Sequence, residues 1–441
     1  MPLLNDRYDQ YLTWYTAAVL CFAIVGLLSI RSAANLSVLL LLVPAVLRVR
    51  GDLSRARDLG ALQPLGFIAV ALCLPLVSVI LGELLRGDFS AKPLDAPSRL
   101  AFCALPMLML WALRVDVARL VRFSAPIALV VTLVVTLGFP QYTQNWGGRF
   151  ATRFVDPNSL GAFSAMLCAL CLFGLRRRQI DDRDDHLDRA AFWLALVGLG
   201  SGLWLILGAG SRGGMMAYCV VLVAWLLSTR PKFDPKIVAI SVVAAAAILS
   251  VNLAVNRAPV ALFASAPVEV HKWLTRTDPD TSSGQRLSMW LMSVELIARR
   301  PFSGYGDRGL AAQVHDPVIV EMATPLARST FANNGPHNEV LAAALRSGVH
   351  GGIAVLALFL VPAVAFWRRR NDPDPDVAMA CRLGLGLLLA MAAGSITIEV
   401  FTLKYAASGF GLLLAALAAQ ALRVTEPARF PTGGASREPA R

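Results

Sequence analysis

A histidine–asparagine pair stands where a long polar stretch gives way to a strongly apolar one. The pair is His337 and Asn338, and glycines follow at positions 348 and 351. Imidazole is the side chain whose ordinary pKa lies closest to neutrality, which suits a general base. A histidine at such a border can also act only as a helix cap or an interfacial side chain. The arginines of the same chain favour the catalytic interpretation.

Arg212 lies in a very short connection between two apolar runs, in the sequence Ser211-Arg212-Gly213-Gly214. An arginine that reaches into the hydrocarbon core of a membrane costs up to about 3 kcal/mol, so it indicates a partner anion or a water-filled cavity. The glycines leave backbone amides open, which also suits an anion. The alternative is an arginine that merely reaches the membrane surface.

Three further arginines stand at comparable borders. Arg149 and Arg153 precede an apolar run that begins near Pro157, and Arg286 stands at the start of an amphipathic stretch. The planar guanidinium group binds phosphate through two parallel hydrogen bonds. Separate segments therefore offer phosphate-binding groups near one membrane face.

One base and several phosphate-binding arginines fit the transfer of a sugar from a lipid-linked diphosphate donor. The base takes the proton of an acceptor hydroxyl, and the arginines stabilise the charge that grows on the leaving diphosphate. Asp278 and Asp280 form a D-x-D pattern that could hold a divalent cation, but aspartates beside a proline are more typical of a turn. We therefore expect neither a metal nor a cofactor.

The elements that position these residues are apolar helices. Hydrophobic residues make up 56% of the 441-residue chain and charged residues only 16%, against about 25% charged residues in a soluble domain. Runs of 18 or more apolar residues predict membrane-spanning helices. The chain is therefore expected to be an all-α polytopic membrane protein with about twelve spans. These are expected near 11–30, 33–47, 64–82, 98–113, 121–139, 158–175, 190–210, 213–229, 236–255, 348–367, 376–396 and 403–422.

The arrangement of basic residues predicts the orientation. Arginine clusters at 48–57, 176–178 and 368–370 follow even-numbered spans. Because basic residues concentrate on the cytoplasmic side, both termini are expected to be cytoplasmic and the long loop outside, in the periplasm of a bacterial inner membrane. The net charge of +12 then reflects topology, and nucleic-acid binding is excluded.

Four regions follow from this pattern. Residues 1–255 are expected to hold spans one to nine, 256–336 a periplasmic loop domain, 337–424 a re-entry helix and the last three spans, and 425–441 a disordered cytoplasmic tail.

Two helices are expected around the candidate base. A loop helix is predicted from Leu287 to Arg299. Its apolar stripe, which would rest on the membrane face or cap a cavity, comprises Leu287, Trp290, Leu291, Val294, Leu296 and Ile297. A short helix from Asn338 to Ser347 should follow, with Pro336 at its start. Glu399 and Lys404, between the last two spans, could pair with each other or line an acceptor path.

Together these features resemble the O-antigen ligase family, within the wider group that shares the O-antigen polymerase C-terminal region. The resemblance is carried by His337-Asn338 with Gly348 and Gly351, by Ser-Arg-Gly at 211–213, by Arg149 with Pro157-Asn158, and by RPFSGYG at 300–306. One departure is Thr152, where relatives often have glycine.

The resemblance implies a GT-C-like fold and a metal-independent, inverting transfer. The donor would be O-antigen polysaccharide on undecaprenyl diphosphate, and the acceptor a sugar hydroxyl of the lipid A–core oligosaccharide. His337 would be the base, with Arg212, Arg286 and Arg149 on the diphosphate. Asn338, Ser211, Gly213 and Arg153 would support them.

Three alternatives share much of this pattern. An O-antigen polymerase joins two lipid-linked donors, and an O-linked protein oligosaccharyltransferase uses a protein acceptor, both with the same donor chemistry. A lipid-linked glycan transporter would bind the phosphates without needing a base.

Overall fold

The computed structural model describes residues 2–146, 149–175, 185–229 and 265–424, together with the single residue 250. Most of these residues are helical, and seven helical segments are long and apolar enough to cross a membrane. They are Ala33–Asp58, Leu62–Arg86, Lys92–Leu113, Val117–Gly138, His186–Ala209, Val349–Arg369 and Pro375–Ser395. Two shorter apolar helices, Pro157–Phe173 and Arg212–Ser228, lie among them. The chain is thus a helical, multi-pass membrane protein.

Nine helices precede the long loop in the described ranges. They are α1 Pro2–Val25, α2 Ala33–Asp58, α3 Leu62–Arg86, α4 Asp95–Phe102, α5 Ala104–Leu113, α6 Val117–Gly138, α7 Pro157–Phe173, α8 Asp185–Ala209 and α9 Arg212–Thr229. Single 3₁₀ turns occupy Lys92–Leu94 and Pro140–Tyr142. The span expected at 33–47 lies within the longer α2, which continues into its arginine-rich end, whereas the span expected at 11–30 runs past α1, which ends at Val25.

Nine further helices follow. They are α10 Ala266–Leu274, α11 Ser282–Arg299, α12 Gly306–Gln313, α13 Pro317–Met322, α14 Pro325–Asn334, α15 Glu339–Ser347, α16 Val349–Arg369, α17 Pro375–Ser395 and α18 Lys404–Ala421. The expected span 236–255 and the tail 425–441 lie outside the described residues. The expected span at 98–113 is divided at Cys103 into α4 and α5.

The centre of the membrane part is built around α7. This helix packs against α6, α8, α9 and α17, and nearly all of its side chains except Asn158 are buried. A helix that is apolar all round belongs in the interior of a bundle. The N-terminal end of α7 is therefore held firmly by its neighbours, at the face where the candidate residues gather.

A β-hairpin departs from the expected all-helical pattern in the described residues. Strands β1 Thr143–Trp146 and β2 Arg149–Thr152 pair antiparallel, from Thr143 opposite Thr152 to Trp146 opposite Arg149. Threonine and aromatic residues favour strands, and β2 packs against α7 and α8. The hairpin carries Arg149 to the end of α8.

From residue 265 onward, where the structure describes it, the loop forms a small helical domain with five helices where one was expected. Its buried core comprises Met289, Met292, Leu296, Tyr305, Leu310, Val314, Ile319, Ala323, Ala327, Phe331 and Leu345. Of the predicted stripe on α11, Leu296 faces the core whereas Leu291 and Val294 are exposed. Met289 and Met292, which the stripe does not include, also face the core. The methionines pack against α14, which the sequence pattern did not predict.

The loop domain is fastened to the membrane helices through the RPFSGYG turn. Arg86, at the end of α3, donates hydrogen bonds from Nη1 to the carbonyls of Ser303 (2.6 Å) and Arg346 (2.8 Å). The Tyr305 amide donates to Leu345 O at 2.7 Å, and the Val349 amide donates to Pro301 O at 2.7 Å. The turn therefore docks the domain on α15, the helix that follows His337.

Candidate active site

His337 lies in the junction between α14 and α15 and has an unusual backbone. Its φ is +52°, a conformation that few residues other than glycine adopt. Asn338 caps α15, because its Oδ1 accepts the Leu341 amide at 3.1 Å. The expectation that Pro336 begins the helix was wrong, since α15 begins at Glu339. A proline at the first helical position has no amide N–H that needs a partner. In α15 the side chain of Asn338 instead accepts a first-turn amide, that of Leu341.

Glu399 and Arg346 surround this junction. Arg346 donates to the Glu399 carboxylate at 2.5 Å, and the backbone amide of His337 lies close enough to that carboxylate to oppose the rise in its pKa that burial causes. A Cβ at Gly335 would stand 2.0 Å from Glu399 Oε1. The glycine thus permits the close approach that places the carboxylate beneath His337.

The suggestion that Glu399 and Lys404 pair with each other was wrong. Glu399 pairs with Arg346, and Lys404 pairs with Asp95. The difference arises from α15, which brings Arg346 beside the connection between α17 and α18 in space although it is far along the chain.

Arg286 lies in the second turn of α11, which begins at Ser282 rather than near Leu287. Four residues later on the same face, Trp290 donates from Nε1 to Pro336 O at 3.1 Å. Arg286 therefore faces the His337 junction. Within the described part of the chain it has no ion-pair or hydrogen-bond partner. Burial, together with the charges of Arg212 and Arg149, lowers the pKa of Arg286 to about 10.

The imidazole of His337 is partly buried and is electrostatically coupled to Arg286. Burial lowers the pKa of His337 below its ordinary value of 6.5, the positive charge of Arg286 lowers it further, and Asp156 acts in the opposite direction. The ring is therefore neutral at pH 7. A neutral imidazole is the form that can accept a proton.

Arg212 begins α9 and forms an ion pair with Glu269 of α10. Nη1 and Nη2 each lie 2.6 Å from a different oxygen of the carboxylate, and the same nitrogens donate to Ser283 Oγ (2.9 Å) and Ser265 Oγ (3.0 Å). The guanidinium of Arg212 lowers the pKa of Glu269 well below its usual range. The arginine is thus partnered by a carboxylate of the loop domain.

Arg149 faces inward from β2. It donates from Nε to Ala209 O at 2.9 Å and from Nη2 to Asn158 Oδ1 at 2.7 Å. Burial, with the nearby charge of Arg212, lowers the pKa of Arg149. Arg153, expected to support the site, lies beyond the strand and its side chain is exposed. The structure brings Arg149, but not Arg153, into the group.

Ser211 and Gly213 have packing roles in the structure. Ser211 is buried, and its Oγ accepts the Gly214 amide at 3.1 Å. A Cβ at Gly213 would meet Thr397 Oγ1 at 1.9 Å, so the glycine allows α9 to approach the connection after α17. The Gly214 amide is thus already bonded to Ser211, and Gly213 also meets a steric requirement.

Four segments that are remote in sequence therefore meet at one end of the helical bundle. His337, Arg286, Arg212 and Arg149 come from the α14–α15 junction, α11, α9 and β2. Helix α11 contacts the junction through Trp290 and α9 through Ser283, and Asn158 contacts both Arg149 and Ser211. An acceptor beside His337 can lose a proton there, and the guanidinium groups can receive an anion.

The D-x-D aspartates take part in local contacts. Asp278 accepts from Lys272 at 3.3 Å, and Asp280 accepts the hydroxyl of Thr324. No group of three histidine, cysteine, aspartate or glutamate side chains with metal-binding geometry occurs in the ranges that the structure describes.

Sequence reasoning missed two carboxylates of this region. Glu269 has no motif around it, and only the fold shows that it reaches Arg212. Glu339 follows the His337-Asn338 pair directly and is buried, which raises its pKa to about 7. Its carboxylate accepts the Phe401 amide at 2.9 Å and links α15 to the connection before α18. Its place beside the candidate base was a signal that could have drawn attention to it.

Comparison with known proteins agrees with the motifs. Residues 194–356 match the family model described as O-antigen ligase, which confirms the resemblance that the sequence indicated. This region includes Arg212, Arg286 and His337. The chain is also 25% identical over 169 residues to an uncharacterized protein of Haemophilus influenzae. That match spans 37% of this chain and 40% of the relative, so the relative is covered over less than half its length.

Proposed function

From the match of residues 194–356 to the O-antigen ligase family, we propose that this chain is a membrane glycosyltransferase. It transfers a glycan from a lipid diphosphate to a sugar hydroxyl with inversion at the anomeric carbon. The observation that carries the proposal is the meeting of the segments that bear His337, Arg286, Arg212 and Arg149 at one end of the bundle. Their contacts run from Trp290 to Pro336, from Arg212 to Ser283, and from Asn158 to both Arg149 and Ser211.

His337 acts as the general base. Its neutral ring accepts the proton of the acceptor hydroxyl while the hydroxyl oxygen forms a bond to the anomeric carbon. The bond from that carbon to the diphosphate oxygen breaks, and its electron pair leaves with the diphosphate. Attack on the side opposite the leaving group inverts the anomeric centre. Proton transfer of this kind typically contributes about 10²–10⁴-fold.

The arginines receive the charge of the leaving group. The diphosphate gains negative charge as the bond breaks, and Arg286 can meet it because no described residue forms an ion pair or a hydrogen bond with its guanidinium. Fixed cations in a partly buried site are effective because they need little reorganisation. In this proposal the guanidinium groups provide the charge stabilisation without a metal.

The donor we propose is O-antigen polysaccharide on undecaprenyl diphosphate, and the acceptor is the lipid A–core oligosaccharide. The reaction takes place at the periplasmic face of the inner membrane in a GT-C-like fold. The periplasmic location is supported by α16, which begins at Val349 beside the site and carries Arg368 and Arg369 in its last turn, at the opposite end. Basic residues concentrate on the cytoplasmic side.

The test is a reaction with three acceptors. Purified full-length protein receives a polyprenyl-diphosphate glycan in the presence of EDTA, with lipid A–core, a second donor molecule or a peptide. We expect glycan to appear on lipid A–core alone. Product on the second donor would identify a polymerase, and product on the peptide a protein oligosaccharyltransferase. Donor binding without any transfer would favour a transporter and overturn the proposal.

A further inference from the structure

The carboxylate of Glu269 is held as a phosphate would be. Its two oxygens lie 2.6 Å from the two terminal nitrogens of Arg212, which is the paired geometry that guanidinium also adopts with phosphate. The side chains of both residues are largely buried, with 12% and 13% of their surfaces exposed. The pair is therefore held within the fold and is not a solvated surface contact.

Other groups complete the same anion site. The Ser283 amide, in the first turn of α11, donates to Glu269 Oε2 at 3.0 Å, and Ser265 Oγ donates to Oε1 at 2.8 Å. Amides at a helix N-terminus and an arginine are both suited to bind an oxyanion. Here the bound oxyanion belongs to the protein itself.

The positive charges around this site outnumber the negative ones, so the site can attract a further anion. Arg286 and Arg149 lie near enough to Arg212 to affect each other's pKa, and Arg286 has no partner among the described side chains. Against three guanidinium groups stand Glu269 and Asp156. Oδ1 of Asp156 already caps α7 by accepting the Asn158 and Ser159 amides. A donor diphosphate carries negative charge on both phosphates and would compete with Glu269 for Arg212.

We propose that Glu269 occupies a phosphate position of the donor site and is exchanged for the donor diphosphate during each reaction cycle. The inference rests on the proposed function. The carboxylate leaves Arg212 when the donor binds, and it returns when the glycan has been transferred. Its return displaces the polyprenyl diphosphate product. Glu269 thus weakens diphosphate binding and speeds product release.

The experiment measures the dissociation constant of undecaprenyl diphosphate for the purified full-length protein in detergent. Glu269→Gln removes the competing charge, so we expect binding about tenfold tighter than wild type, because one charge-assisted contact typically changes affinity by that order. We also expect stronger product inhibition. Glu295→Gln is the matched control, since Glu295 pairs with Arg299 of the same loop domain, and it should bind as wild type does.

A double variant shows whether Glu269 acts through Arg212. Arg212→Gln should weaken binding, and adding Glu269→Gln to it should restore none of the lost affinity. Glu269→Asp, which keeps the charge with a shorter reach, should bind more tightly than wild type but less tightly than Glu269→Gln. Elution in gel filtration checks that each variant is folded.

Two outcomes separate the inference from the proposed function. If Glu269→Gln binds no more tightly than wild type while Arg212→Gln still loses affinity, the donor site stands and Glu269 is a fixed positioning residue. If wild type binds undecaprenyl diphosphate no better than undecaprenol, the proposed function itself fails and the exchange fails with it.

Discussion

At His337, the backbone and the surroundings both bear on the general-base role that we propose. Its backbone has a left-handed φ of +52°, and burial, together with the positive charge of Arg286, lowers the pKa of the ring. A cation near a base lowers its basicity but prevents its protonation by solvent. The same cation is well placed to attract the phosphate end of a donor.

Replacing His337 by alanine should abolish transfer while leaving donor binding intact. The proposed base contributes about 10²–10⁴-fold to the rate, so kcat should fall by at least about 100-fold with little change in the dissociation constant of the donor. His315→Ala, at an exposed position of the loop domain, should keep wild-type kcat. Wild-type turnover by His337→Ala would remove the base from the mechanism.

The pH dependence should reveal the coupling between His337 and Arg286. Because the neutral ring is active and its pKa lies below 6.5, kcat/KM should be flat near neutrality and fall in acid, with a midpoint below 6.5. Arg286→Gln removes a neighbouring positive charge, so the pKa of His337 rises and the acid limb moves to higher pH. The same variant should lose about 100-fold in kcat.

Arg300→Gln is the control for that profile. Arg300 lies over the ring of Tyr305 in the same loop domain, and its replacement should leave the acid limb where it is. An acid limb that stays at the wild-type pH in Arg286→Gln would show that the two groups are not coupled.

At the scale of elements, the short connection between α14 and α15 decides where the base stands. Gly335 has φ +72° and ψ −169°, a region that is essentially restricted to glycine. Asn338 then caps α15, while Glu399 and Arg346 fill the space beneath. The connection is therefore determined by several contacts at once, which keeps the ring in one place.

Gly335→Ala should disturb this connection. The backbone strain costs about 1–3 kcal/mol, and the new methyl group would collide with Glu399. We expect a lower melting temperature in detergent and about 100-fold slower transfer, since small displacements of catalytic groups have effects of that size.

The matched variant is Gly309→Ala in helix α12. A Cβ there meets its nearest neighbour, Tyr305 Cβ, at an ordinary 3.5 Å, and alanine in a helix is favourable. Its activity should equal wild type and its stability should not fall. Equal activity of the two variants would show that the backbone at Gly335 does not position His337.

The periodicity of apolar residues predicted the long helices better than it predicted the short elements that pack against them. The Asp156-Pro157 start of α7 was recognisable because capping and proline preferences are local. The hairpin at Arg149 and the helices α10, α12, α13 and α14 were missed because they are short. Short elements are stabilised by packing against other elements, and a single apolar pattern does not specify that packing.

At the scale of the whole molecule, the arginine-rich ends and the candidate site should lie on opposite sides of the membrane. In a background without the native cysteines, Asn333→Cys should react with a membrane-impermeant thiol reagent in intact spheroplasts. Arg50→Cys, exposed near the end of α2, should react only after permeabilisation. Labelling of both positions from the same side would overturn the orientation that we propose.

The sequence by itself determined the membrane class of this protein and its family resemblance, and it singled out His337, Arg286, Arg212 and Arg149 as candidate site residues. These follow from hydropathy and from local motifs, which depend on residues that are near one another in the chain. Only the tertiary structure decided that Arg153 lies apart from these four residues. It also decided that Glu399 forms an ion pair with Arg346 and that Glu269 forms one with Arg212. Such pairings depend on how distant segments pack, because a charge selects whichever partner the fold brings within a few ångströms.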